Sequence, residues 1–129
     1  MAGILIVDDN SNNLYLLGSI LKVFGYEVIP AVNGAEALAL ARKSKPDLII
    51  ADIFMPVMDG FTLCREWKAD ERLKYIPFVF YTARYTSSKD EKFALSLGAE
   101  KFLTKPQEAR TLIGIVQRLL EESKAVSTD

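Results

Sequence analysis

Ile4-Leu5-Ile6-Val7-Asp8-Asp9-Asn10 decides how this chain is read. Four apolar residues run without a polar interruption, three of them β-branched, and stop at two carboxylates. A strand apolar on both faces is one covered on both sides, as in a parallel sheet between layers of helices. The pattern recurs. Leu48-Ile49-Ile50-Ala51 ends at Asp52, and Phe78-Val79-Phe80-Tyr81 ends at Thr82. The short Phe102-Leu103 ends at Thr104-Lys105-Pro106. Tyr26-Glu27-Val28-Ile29 is a weaker run, and it finishes on the apolar Ala31.

Amphipathic stretches separate these runs. Leu14, Leu17, Leu21 and Phe24 recur at helical steps, and Gly25 is suited to the left-handed stop. Asn33 with Glu36 three residues on reads as a capping box opening a second helix that stops before Pro46. A third helix begins near Gly60 and carries Leu63, Cys64 and Trp67, with Trp67 expected to pack it on the sheet. Ser88 with Glu91 reads as the capping box of a fourth, closing at Gly98. Leu112, Val116, Leu119 and Leu120 line one face of a fifth. Strand and helix thus alternate five times, with spacing long enough for right-handed crossovers. The class is α/β, doubly wound.

Composition narrows the function. The 129 residues hold sixteen Lys+Arg, seventeen Asp+Glu, no histidine and one cysteine, Cys64. Without histidine there is no Ser-His-Asp triad and no imidazole base. A single thiol forms no internal disulfide and no ordinary zinc site. Any metal is therefore a hard cation held by oxygens. A net charge of −1 lacks the basic excess of a nucleic-acid binder. No apolar run is long enough for a membrane span, no signal peptide is recognisable, and a reducing cytoplasm is the expected compartment. One domain is expected over residues 1–123, with 124–129 a polar tail or the start of a linker.

In an open parallel sheet the carboxyl ends of the strands share one edge, where ligands bind. Asp8, Asp9, Asp52, Thr82 and Lys105 all fall there. Each has a plainer reading by itself: Asp8 or Asp9 as a helix cap, Asp52 as a turn residue before Pro56, Thr82 as a loop cap, Lys105 as a solvated lysine. One site accounts for the set together. Clustered carboxylates repel, and a hard divalent cation relieves them. An ammonium and a hydroxyl beside a carboxylate suit phosphoryl transfer, with the carboxylate as nucleophile. No Walker A or Gly-rich dinucleotide motif is present, so the phosphoryl donor comes from outside.

Four segments, in order at strand ends, carry a resemblance. They are Ile6-Val7-Asp8-Asp9-Asn10, Asp52-Ile53-Phe54-Met55-Pro56-Val57-Met58-Asp59-Gly60, Tyr81-Thr82-Ala83, and Gly98-Ala99-Glu100-Lys101-Phe102-Leu103-Thr104-Lys105-Pro106. From Ile4 to about Leu120 the chain resembles the receiver domain of two-component response regulators. The resemblance implies a flavodoxin-like three-layer sandwich with a parallel five-stranded sheet of order 2-1-3-4-5. It implies Asp52 as phosphoacceptor, with Mg²⁺ or Mn²⁺ held by Asp9, Asp52 and the Phe54 carbonyl, and by Asp8 largely through a metal-bound water. Lys105 would pair with phosphate, next to a cis Lys105-Pro106 bond. Thr82 would be the switch hydroxyl, and Phe102 the aromatic that turns inward with it.

Phe54 and Arg84 flank the expected water path and are candidates for setting the phosphoryl lifetime, unless both simply point to solvent. Tyr81 and Tyr85 bracket the switch, as partner surface or, for Tyr81 equally, as core. The implied partners are a histidine kinase or histidine phosphotransfer domain, which must supply the histidine this chain lacks, and a downstream protein effector. Helix 4, strand 5 and helix 5 form the implied output face and a possible homodimer surface. Two alternatives are a constitutive pseudo-receiver and a Mg²⁺-dependent phosphatase. The intact acidic set with Thr82 and Lys105 argues against the first. The absence of a second acid at Phe54 and of room for a cap domain argues against the second.

Overall fold

The computed structural model describes residues 1–83 and 87–127. Its elements are β1 Gly3–Val7, α1 Ser11–Val23, β2 Glu27–Ala31, α2 Gly34–Lys43 and β3 Leu48–Ala51. They continue with α3 Gly60–Ala69, β4 Phe78–Thr82, α4 Ser88–Ser96, β5 Lys101–Thr104 and α5 Ala109–Ser127. All strand pairs are parallel, in the order β2-β1-β3-β4-β5. α5 continues past Ser123, where the sequence reading ends the domain, to Ser127.

The uninterrupted apolar runs are explained by how each strand divides its side chains. Leu5, Val7, Ile49, Ala51, Phe78 and Phe80 pack with Ala37, Leu38, Leu63, Trp67 and Ala94 of α2, α3 and α4. Ile4, Ile6, Leu48, Ile50, Val79 and Tyr81 point the other way, onto Leu21 of α1 and Leu112, Ile113 and Val116 of α5. Successive strand residues face opposite sides, so both layers need an apolar residue at every step. Each such side chain fully buried contributes about 1.5–3 kcal/mol. β2 lies at the sheet edge and tolerates Pro30, paired with Ile6, because an edge position needs no donor on its outer side.

Trp67 packs as expected: it is fully buried, meets Phe78 edge-on at 5.9 Å, and its Nε1 donates to the Ile76 carbonyl at 3.1 Å. Cys64 is also fully buried, and burial, with Glu100 adding to it and Lys68 opposing, pushes its thiol up to about 12. It is a core residue, not a reactive one. At the opposite sheet edge from the acidic residues, Glu100 Oε1 accepts from the Phe78 N–H at 2.6 Å, while Lys68 Nζ donates to Glu100 and to the Lys74 carbonyl.

Three helix ends differ from the sequence reading. The N-cap of α1 is Asn10, whose side chain accepts from the Asn13 N–H at 3.0 Å, so neither Asp8 nor Asp9 is spent on capping. α4 is capped by Ser87, not Ser88, and the Asp90 carboxylate accepts from the Ser87 N–H at 3.0 Å. Phe24, in step with the apolar face of α1, is instead the C-cap and 45% exposed, followed by Gly25 at φ 90°. The remaining stops hold. Asn33 accepts from the Glu36 N–H to open α2, and Gly98 closes α4 at φ 107°.

Candidate functional site

Register brings the site together. β1 and β3 are neighbours with Val7 opposite Ala51, so Asp8 and Asp52 leave the sheet side by side. Both are nearly buried, at 6% and 9% exposure. β4 and β5 pair Thr82 with Thr104, and the Lys105 N–H donates to the Thr82 carbonyl at 2.8 Å. From there the Lys105 side chain reaches back past β4 toward the ends of β3 and β1. Its ammonium lies 2.6 Å from Asp8 Oδ2 and 3.6 Å from Asp52 Oδ2.

The carboxylates are further tied down. Asp8 Oδ1 accepts from the Asn10 N–H at 2.9 Å and Oδ2 from Asn13 Nδ2 at 3.2 Å. Asp52 Oδ1 accepts from the Ile53 N–H at 2.7 Å. Thr82 is fully buried, and its hydroxyl is the one buried side-chain polar atom without a hydrogen-bond partner among the described residues. Such an orphan costs about 1–3 kcal/mol and marks a group that awaits a partner.

Asp9 is exposed, while its neighbour Asp8 is nearly buried and pairs with Lys105. Phe54 is 39% exposed beside the site. Phe102 is half-buried against Phe80, with ring centroids 6.1 Å apart. Lys105-Pro106 is cis, as the resemblance implied. Tyr81 belongs to the core on the α1–α5 side, at 9% exposure, not to an open surface. Arg84 and Tyr85 lie outside the described residues.

Asp52 sits on a tight loop running into α3. The Gly60 N–H donates to the Ile53 carbonyl at 2.7 Å, and Asp59 caps α3 by accepting from the Thr62 N–H at 2.8 Å. Within the loop Val57 holds φ 69°, a region that costs a β-branched residue about 1–3 kcal/mol. Val57 is 81% exposed, so its side chain contributes little burial in return. Val57→Gly is expected to raise unfolding stability by about 1 kcal/mol after glycine's entropy cost. Urea denaturation at unchanged slope is the measurement.

Among the described residues no three Asp, Glu or Cys side chains form a ready metal cluster. The chemistry of the donors nonetheless fits a hard cation. Two nearly buried carboxylates face one ammonium, which leaves an excess negative charge, and every donor is an oxygen. Beside them a cavity of about 380 Å³ opens between α1 and the segment after β5, lined by Leu14, Leu17, Ile50, Tyr81 and Pro106 among others. Two contributors were not legible in sequence. Asn13 steadies Asp8 from the first turn of α1, and the Tyr81 hydroxyl accepts from the Gln107 N–H at 3.0 Å.

A 2-1-3-4-5 parallel sheet with two carboxylates and a lysine at its carboxyl edge defines a class of doubly wound proteins with a polar site at the strand ends. The comparisons specify the family. A family model described as the response regulator receiver domain matches residues 4–117, and the chain belongs to that family. It is 37% identical over 120 residues to Protein PilH of Pseudomonas aeruginosa, covering 93% of this chain and 98% of that protein. It is 43% identical over 118 residues to the response regulator PleD of Caulobacter vibrioides, covering 92% of this chain but only 26% of PleD. Among solved structures, the signal receiver domain of a signal transduction histidine kinase from Syntrophus aciditrophicus superposes with a TM-score of 0.87 at 38% identity. That match covers 95% of this chain and 92% of the other. The chemotaxis response regulator CheY4 of Vibrio cholerae gives 0.84 at 36% identity, covering 92% and 98%. No helix of the described residues is long and apolar enough to cross a membrane.

Proposed function

We propose that the chain is a phosphorylation-dependent switch in a two-component relay, with Asp52 as its phosphoacceptor. The observation that carries this reading is Lys105 bridging two nearly buried carboxylates, Asp8 and Asp52, beside the orphaned hydroxyl of Thr82. An Asp52 oxygen attacks the phosphorus of a phosphohistidine on a kinase or phosphotransfer domain. The P–N bond breaks, a P–O bond forms, and the imidazole leaves with a proton from solvent. Lys105 passes from Asp8 to a phosphoryl oxygen, and Thr82 donates its hydroxyl proton to another in a hydrogen bond. Hydrolysis of the acyl phosphate returns Asp52 and inorganic phosphate.

Asp9, Asp52, the Phe54 carbonyl and, through water, Asp8 would hold Mg²⁺ (or Mn²⁺). The bound cation supplies charge neutralisation for the incoming phosphoryl group. Phe54 and Arg84 remain the candidates for setting phosphoryl lifetime. Phe102 and Thr82 pass the change to the face formed by α4, β5 and α5, which meets a downstream protein or a second copy. Residues 1–123 form the functional unit in this reading, with 124–129 a polar tail or the start of a linker, in the cytoplasm.

Acetyl phosphate with Mg²⁺ tests the proposal by intact mass. Wild type gains one phosphoryl group and Asp52→Ala gains none, whereas equal labelling would sink the assignment. Millimolar Mg²⁺ alone is expected to raise the wild-type melting temperature through native-state binding, and Asp9→Ala should blunt that rise. No shift in wild type would count against the metal site.

A further inference from the structure

The segment that carries Lys105 is held to β4 at two successive residues. Thr82 holds it through a main-chain carbonyl, which accepts the Lys105 N–H at 2.8 Å. Tyr81 holds it through a side chain, its hydroxyl accepting the Gln107 N–H at 3.0 Å. The first link is available to any residue at position 82. The second exists only because position 81 is tyrosine. Gln107 closes the segment on itself, its Nε2 donating to the Thr104 carbonyl at 2.9 Å.

Tyr81 also borders the lysine directly. Its ring centroid lies 5.5 Å from Lys105 Nζ, within the range of a cation–π attraction. The ring itself is fixed, packed at 9% exposure among Val79, Leu112, Ile113 and Val116 of the α1–α5 side. A rigid aromatic thus borders the lysine side chain with its face and secures the backbone two residues beyond it with its hydroxyl. Lys105 must span β4 to reach Asp52 and both β4 and β3 to reach Asp8, so a small drift of its backbone moves the ammonium off the carboxylates.

We propose that Tyr81 is a positioning residue for Lys105, a latch whose hydroxyl sets where the ammonium meets the phosphoryl group. The claim rests on the phosphotransfer reading above. Tyr81→Phe removes one oxygen and keeps the ring in its apolar layer, so the chain should fold as before by circular dichroism. The variant leaves the Gln107 N–H without its partner. Two readouts decide the matter. Phosphorylation by acetyl phosphate with Mg²⁺ is expected to slow about 5- to 10-fold, the scale on which modest misplacement acts. In lysine-labelled ¹⁵N NMR without phosphate, the Lys105 ammonium signal, identified by its absence in Lys105→Ala, is expected to broaden or move toward those of free surface lysines.

A folded Tyr81→Phe that is labelled at the wild-type rate, or whose Lys105 signal is unchanged, overturns the latch alone. An unfolded variant overturns it too, since the hydroxyl is then a determinant of the fold. A wild type that takes up no phosphoryl group refutes the phosphotransfer reading, and the positioning role with it.

Discussion

Gly60→Ala is expected to lose about 3 kcal/mol or more of stability, among the largest effects of any single methyl group in this chain. A Cβ at position 60 would overlap the carbonyl oxygen of Asp52 and stand 2.8 Å from the Ile53 Cα. Both obstacles are backbone, so no rotamer change relieves them. The first turn of α3 rests directly on the end of β3, with the Gly60 N–H donating to the Ile53 carbonyl at 2.7 Å. Relief requires α3 to lift off the sheet, which exposes Leu63 and Trp67, both fully buried. The same movement displaces Asp52, so any folded remainder should be poorly phosphorylated. Urea unfolding reads the stability term. A midpoint equal to wild type would show that the approach is looser than the geometry indicates.

Lys105→Ala carries the second large effect, and it acts on two quantities. Breaking a fully buried ion pair costs about 3–5 kcal/mol, but these carboxylates keep some access to water, so about 1–2 kcal/mol is expected. Asp8 and Asp52 are then left facing each other without the ammonium that lies 2.6 Å from one and 3.6 Å from the other. The rate of phosphorylation by acetyl phosphate should fall about 100-fold, as when a preorganised charge is removed from a developing anion. Mg²⁺ should raise the melting temperature of Lys105→Ala by more than it raises wild type, because the cation then relieves repulsion that nothing else compensates. Unchanged stability and rate together would remove Lys105 from the account.

The sheet was readable because its physics is local. Ile4–Val7, Leu48–Ala51 and Phe78–Tyr81 are apolar at every step, and only two-sided burial calls for that. Gly25 and Gly98 marked helix ends because both sit at positive φ. What the sequence left open turns on geometry a residue or less in scale. Ser87 and Ser88 are adjacent, each with an acid three residues on, and only the path of the chain into α4 selects Ser87 with Asp90.

Asp8 and Asp9 present the same difficulty: identical side chains at a strand end, of which one is nearly buried and one exposed. Lys105 and Asp8 are 97 positions apart, and their pairing depends on β5 being displaced from β1 by two intervening strands. No local pattern encodes that distance. Tyr81 was open between core and surface for a related reason. Its ring belongs to the core, while its hydroxyl belongs to the loop beside the site.

Borohydride reduction after phosphorylation tests the central claim most directly, because it records which carboxyl carried the acyl phosphate. Treatment with acetyl phosphate and Mg²⁺, reduction, digestion and peptide sequencing by mass spectrometry should find homoserine at position 52 and intact aspartate at positions 8 and 9. Homoserine at either of those positions, or an unmodified Asp52 in protein that had gained a phosphoryl group, would contradict the account.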